Sequence, residues 1–149
     1  MARTFKLRIS TSILTILLIF TGVLSACHPE PVYPQDSRVL IINPAMDSTL
    51  DSGDIAVKAF VEQFDIVDKI GQKNSAGEGH LVYYMDVTPP MKQGERALSA
   101  EGTYAISTET SYTWKSVEAG KHVFWVQLVN NDNTPIEPQA AVRINVAVR

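Results

Sequence analysis

Three side chains in this sequence could together hold a borderline metal ion: His80, His122 and Asp86. Two imidazoles and a carboxylate suit copper or zinc, provided all three reach within about 2.1 Å of one ion. Each histidine opens an apolar run, His80 through Val87 and His122 through Val129. If those runs pair as antiparallel strands, their starts lie at opposite ends of the sheet, roughly 15 Å or more apart. Each histidine would then cap its strand by bonding the backbone of a nearby loop.

A second set of residues emerges from strand parity. Side chains alternate between the two faces of a strand. With Leu81, Tyr83, Met85 and Val87 directed at a core, His80, Val82, Tyr84 and Asp86 face outward. With Phe124, Val126 and Leu128 inward, Trp125 and Gln127 face outward, and Arg143 does so on the last strand. His80, Tyr84, Asp86, Trp125, Gln127 and Arg143 would then share one outer sheet face. Aromatic rings flanked by amides and charges suit a protein or carbohydrate partner. The alternative is that the long 88–101 loop covers Trp125 as a satellite core. Tyr112 and Trp114 alternate with polar neighbours and are expected to pack inward.

The motifs of catalysis are missing. The chain has no G-x-S-x-G, no H-E-x-x-H and no Walker loop, and Gly77-Glu78-Gly79 is too short to cradle a phosphate. The acidic turns at 47–54 and 130–133 offer oxygen donors, but not the spacing of a calcium loop with its closing glutamate. The sequence reads as a non-enzyme without a cofactor.

The elements that must position these residues are strands. Val39–Ile42 is an apolar run stopped by Asn43-Pro44, and Asp51-Ser52-Gly53-Asp54 is a turn cluster. Ile55, Val57, Ala59 and Val61 then alternate with period two. Residues 71–79 form a glycine-containing loop before the strand at His80, and Pro89-Pro90 opens a polar stretch to about Gly102. Tyr104–Ser107, Ser111–Val117, His122–Val129 and Val142–Val148 complete about seven strands separated by turn chemistry. Asp65–Ile70 could form one helical turn. Short strands at this spacing predict an antiparallel, immunoglobulin/fibronectin-like β-sandwich over residues 38–149.

Ahead of this domain, Arg3, Lys6 and Arg8 precede a short apolar run, Ile13 to Leu24. Its length fits a secretory signal, which needs about 7–15 apolar residues, rather than a membrane span of about 20. The run ends in Leu24-Ser25-Ala26-Cys27, the chain's only cysteine. This resembles the lipobox of bacterial lipoprotein precursors. The resemblance implies removal of residues 1–26 and lipidation of Cys27, with two or three acyl chains, enough for stable anchoring. Residues 27–37, with three prolines, read as an extended tether. His28 falls within it.

Losing the three N-terminal cations leaves ten basic against 16 acidic residues, a formal charge of −6. That balance argues against nucleic acid and against electrostatic adhesion to anionic lipid. Membrane contact is therefore expected through Cys27 alone, on the extracytoplasmic side of the cell membrane or outer membrane. A lone cysteine also forbids an intrachain disulfide.

Further segments carry a second resemblance: Gly79-His80 through Asp86, Glu101–Tyr104, Thr110–Trp114, and Gly120-Lys121-His122 through Asp132 and Pro135. Together they resemble a group of secreted or lipid-anchored prokaryotic Ig-like domains that has no settled activity. Relatives in that group carry further histidines where this chain has Val82 and Asn133. The departure removes two imidazoles from any metal reading. The expected role is a lipid-anchored binding or adaptor module of the cell envelope. The alternatives are a copper- or zinc-handling protein and a purely structural envelope component.

Overall fold

The computed structural model describes residues 37–149; the signal segment, Cys27 and the tether up to residue 36 lie outside the described residues. Nine strands follow one another: β1 (Arg38–Asn43), β2 (Ser48–Leu50), β3 (Gly53–Glu62), β4 (Asp65–Ile66), β5 (Glu78–Met85), β6 (Tyr104–Ser107), β7 (Ser111–Val117), β8 (Gly120–Val129) and β9 (Ala141–Val148). One sheet has the order β1-β3-β7, the other β2-β9-β8-β5-β4, with β6 paired to β5. The fold is an all-β sandwich of the immunoglobulin/fibronectin-like kind.

Strand alternation builds the space between the sheets. Along β3, Ile55, Val57 and Ala59 are buried while Asp54, Lys58 and Phe60 are exposed. They meet Leu81, Tyr83, Phe124, Val126, Leu128, Ile144 and Val146 from the larger sheet. Trp114 and Tyr112 pack inward, as their spacing predicts, with ring centroids 5.0 Å apart in an edge-on arrangement. Trp114 also stacks against Phe124 at 6.5 Å. Such aromatic pairs add cohesion beyond their buried area.

Two elements depart from the expected strands. Ser48–Leu50 runs parallel to β9, and Asp65–Ile66 runs parallel to β5. The second pairing replaces the helical turn considered for 65–70. Strands of three and two residues are too short to display a period, so only the neighbouring strand reveals them.

The central pair β5–β8 positions the candidate residues. Its antiparallel register sets His80 opposite Val129, Tyr84 opposite Trp125 and Met85 opposite Phe124. On the other side of β8, Trp125 lies opposite Arg143 and Val123 opposite Asn145 of β9.

Candidate functional site

The register separates the two histidines. His80 faces Val129, seven positions along β8 from His122, which at about 3.3 Å per residue puts roughly 20 Å between them. The metal set of His80, His122 and Asp86 is thereby corrected: one ion cannot bridge that gap. Among the described residues, no cluster of three potential metal ligands occurs.

At its end of the sheet, His80 is fully buried. Its Nε2 stands 3.0 Å from Oδ1 of Asn133 and donates to it in the neutral tautomer, while Nδ1 has no partner. Burial pushes its pKa down, against the opposing effects of the Asn133 bond and the Asp132 charge. Asn133 sits at φ 67° in a turn closed by Asn133 N–H donating to the Asn130 carbonyl and by Asp132 Oδ1 accepting from Thr134. Of the oxygens on this acidic turn, Asp132 Oδ1 closes the turn itself and Asn133 Oδ1 is turned to His80.

Tyr84 and Gln127 share the face that parity assigns them, away from Tyr83 and Val126, but both are fully buried. The expectation that His80, Tyr84 and Gln127 lie on an open surface is therefore corrected. The loop from 88 to 101 closes over Tyr84 and Gln127, as the alternative reading had it for Trp125, while Asn133 of the 130–133 turn meets His80. The Tyr84 hydroxyl lies 2.6 Å from the Ala97 carbonyl and 2.8 Å from Oε1 of Gln127, two acceptors for its one proton. Gln127 Nε2 donates to the Pro90 carbonyl at 3.2 Å, and Ala97 N–H donates to the Asn133 carbonyl at 2.6 Å. Val82, Tyr84, Ala97 and Val129 form a second apolar cluster, with Trp125, Tyr104 and Ile106 half-buried around it. Once a tyrosine hydroxyl and an amide find partners beneath a loop, burying them with their apolar neighbours is favourable.

The remaining three residues do come together. Asp86, Trp125 and Arg143 line an open concavity of about 300 Å³, joined by Val87, Thr88, Lys121 and Val123. The Arg143 guanidinium lies 5.8 Å from the Trp125 ring centroid, within cation–π range. Lys121 is the residue that the sequence reading missed. Its signal was available, because Lys121, Val123 and Trp125 alternate on one face of β8.

Asp86 is held from behind. It adopts φ 59°, a left-handed conformation that Asp tolerates better than most residues. There Oδ1 accepts from Val123 N–H at 2.8 Å, and Oδ2 lies 2.7 Å from Nδ1 of His122. Nε2 of His122 faces the Glu118 carbonyl at 3.0 Å. An imidazole with acceptors at both nitrogens is satisfied only when both carry protons. Burial of the ring pulls its pKa down, but the bonds to Asp86 and Glu118 outweigh this, and the net direction is upward.

These opposite shifts give a pH prediction. His122 holds its proton more tightly folded than unfolded, so its stabilisation is complete below about pH 6.5 and is lost as pH rises through the folded pKa. For His80 the folded pKa is depressed. Its contribution is complete above about pH 6.5 and is lost as pH falls. NMR titration of the imidazole Cε1 protons is expected to place His122 above and His80 below the free value. In urea unfolding, His122→Gln should be less stable than the parent by a constant amount below about pH 6.5, and the gap should narrow as pH rises through the folded pKa of His122. Equal titration of the two rings would overturn both assignments.

No protein-family model and no curated protein matches the chain. Among solved structures it is similar to a crystal structure of an engineered protein from the Northeast Structural Genomics Consortium, at 14% identity and a TM-score of 0.43. The likeness covers 78% of this chain and 21% of that one, so the chain spans about a fifth of its length.

Proposed function

We propose that the chain is a lipid-anchored, extracytoplasmic binding module of the cell envelope, with Cys27 as anchor, residues 28–37 as tether and the sandwich as recognition domain. The observation that carries the recognition part is the concavity in which Arg143, braced on Trp125, and Lys121 stand beside Asp86. Asp86 is already committed: both its oxygens accept hydrogen bonds, one from Val123 N–H and one from His122, whose pKa that bond helps to raise. Lys121 and Arg143, which form no ion pair among the described residues, then set the local sign, which suits a ligand bearing an anionic group. Binding fits this arrangement better than catalysis, because both nitrogens of His122 and both oxygens of Asp86 already hold hydrogen bonds.

Mass spectrometry of the mature N terminus should find acylated Cys27, and Cys27→Ser should yield unprocessed or soluble protein. Processing and membrane association unchanged in that variant would sink the anchor. For recognition, NMR titration with an oligogalacturonate is expected to shift the Trp125 and Arg143 side-chain resonances. The shifts should disappear in Arg143→Ala and stay absent with a neutral oligosaccharide of equal length. A parent protein whose Trp125 and Arg143 signals do not move would remove this site from the reading.

A further inference from the structure

Exposed large apolar side chains are few among the described residues, and they are not scattered. Leu40 (48% exposed), Ile42 (62%), Met46 (62%) and Phe60 (48%) all belong to β1, the turn after it, or its partner β3; only Ile70 (43%) lies elsewhere. Leu40 and Phe60 sit directly opposite each other in the β1–β3 register, close enough for their side chains to form one surface. Ile42 follows on the same strand, at the irregularity between Ile41 and Asn43 that breaks the register. β1 is the edge of its sheet. Across the same sheet toward β7 the exposed residues turn polar, with Lys58 paired to Ser111 and Lys115 bridged to Asp54 at 2.6 Å. An apolar margin rimmed by polar residues marks an interaction surface rather than random exposure.

The chain's own layout identifies the occupant. β1 begins at Arg38, directly after the tether, and Leu40 lies only 13 residues beyond Cys27. Extended at about 3.1 Å per residue, that stretch spans roughly 40 Å and can fold back over much less. A lipid on Cys27 thus holds this margin within reach of the bilayer at all times, and its high local concentration there favours contact. Arg38 and Lys58 beside the apolar residues can keep their charges at the headgroups while their stems lie along the surface.

We propose that the β1–β3 margin, formed by Leu40, Ile42, Met46 and Phe60, docks on the surface of the membrane that carries the acylated Cys27. The inference rests on the anchored-module reading and amends the expectation that Cys27 is the sole membrane contact. It also orients the domain. The outer faces of the two sheets of a sandwich point in opposite directions, so the concavity at Trp125 and Arg143 is presented away from the bilayer.

Acylation consumes the only native thiol, so cysteines introduced elsewhere can be labelled selectively. Full-length acylated protein carrying Leu40→Cys, Phe60→Cys, Thr113→Cys or Arg143→Cys would be labelled with an environment-sensitive fluorophore. It would then be reconstituted in phosphatidylethanolamine/phosphatidylglycerol vesicles containing doxyl-labelled lipid. Labels at 40 and 60 are expected to shift to the blue and lose most of their emission to the quencher, while those at 113 and 143 stay aqueous. In the unsubstituted protein, a carbene precursor on a phospholipid chain should insert into residues 38–46 and 58–62 but not 121–125. That second measurement stands even if a labelled variant fails to fold. Mass spectrometry showing no acyl group would bring down the anchored-module reading itself. Acylated protein with unquenched labels at 40 and 60 would overturn the docking alone. So would quenching at 143 equal to that at 60, or label-to-label transfer between copies at position 60, which would mean a second copy covers the margin.

Discussion

Gly79→Ala is expected to be among the most damaging single substitutions in the domain, costing about 3 kcal/mol or more. Gly79 is buried in β5 beside Val129 of β8 and the ring of Phe64. A Cβ at this position would run into the Val129 carbonyl oxygen and stand 2.9 Å from Cζ of Phe64. The Phe64 ring can shift, but Val129 belongs to the central strand and sits opposite His80 in the register. To make room, β5 must separate from β8 at that end, disturbing the ladder that holds His80 against Asn133. Against a total stability of 5–15 kcal/mol, such a loss is large, and Tm should fall by roughly 10 °C. Gly94→Ala is the control. Gly94 adopts φ +75° with nothing within 4 Å of its would-be Cβ, so only backbone strain of about 1 kcal/mol is expected. Urea unfolding of the two variants side by side decides the matter. If Gly79→Ala proved no worse than Gly94→Ala, the close approach of β5 to Val129 would be wrong.

Tyr84→Ala should cost about 3–5 kcal/mol through the cavity it leaves. Tyr84→Phe should cost about 1–3 kcal/mol, because the Gln127 Oε1 and Ala97 carbonyl acceptors lose their shared donor while remaining buried. The pair of variants distinguishes a structural tyrosine from a ligand-facing one. On an open binding surface, Tyr84→Phe would leave unfolding unchanged and alter ligand affinity. Beneath the 88–101 loop, it should lower stability and raise amide hydrogen exchange at Ala97, whose own carbonyl is tied down by the hydroxyl. Chemical denaturation together with exchange measured by mass spectrometry checks both outcomes. Unchanged stability in Tyr84→Phe would mean that the loop does not close over the sheet.

The contrast between Tyr84 and Arg143 shows what was legible in the chain. Parity placed both on the same side of the same sheet, and the structure agrees. Their exposure was not readable, because it depends on where residues 88–101 lie. That stretch has no periodicity, and it is held by a few bonds to Ala97, Pro90 and Met91 from residues 13 to 48 positions away in sequence. His122 and Asp86 carried the opposite lesson. Considered as metal ligands, they instead form a pair with each other, because Asp86 directly follows β5 beside the start of β8 and its carboxylate accepts from Val123 N–H.

The amino-acid sequence by itself determined the seven longer strands of the domain, though not the short β2 and β4, and the inward direction of Ile55, Val57, Tyr83, Trp114 and Phe124. Alternation is a property of the extended backbone and needs no partner to be read. It also determined that the single thiol, Cys27, stands at the end of an apolar run. The tertiary structure alone decided which outward residues meet solvent and that Lys121 joins Trp125 and Arg143, while its antiparallel β5–β8 pairing keeps His80 and His122 apart as the sequence led one to expect. Those outcomes follow from antiparallel register and loop closure, which join residues far apart in the chain through contacts that no local pattern records.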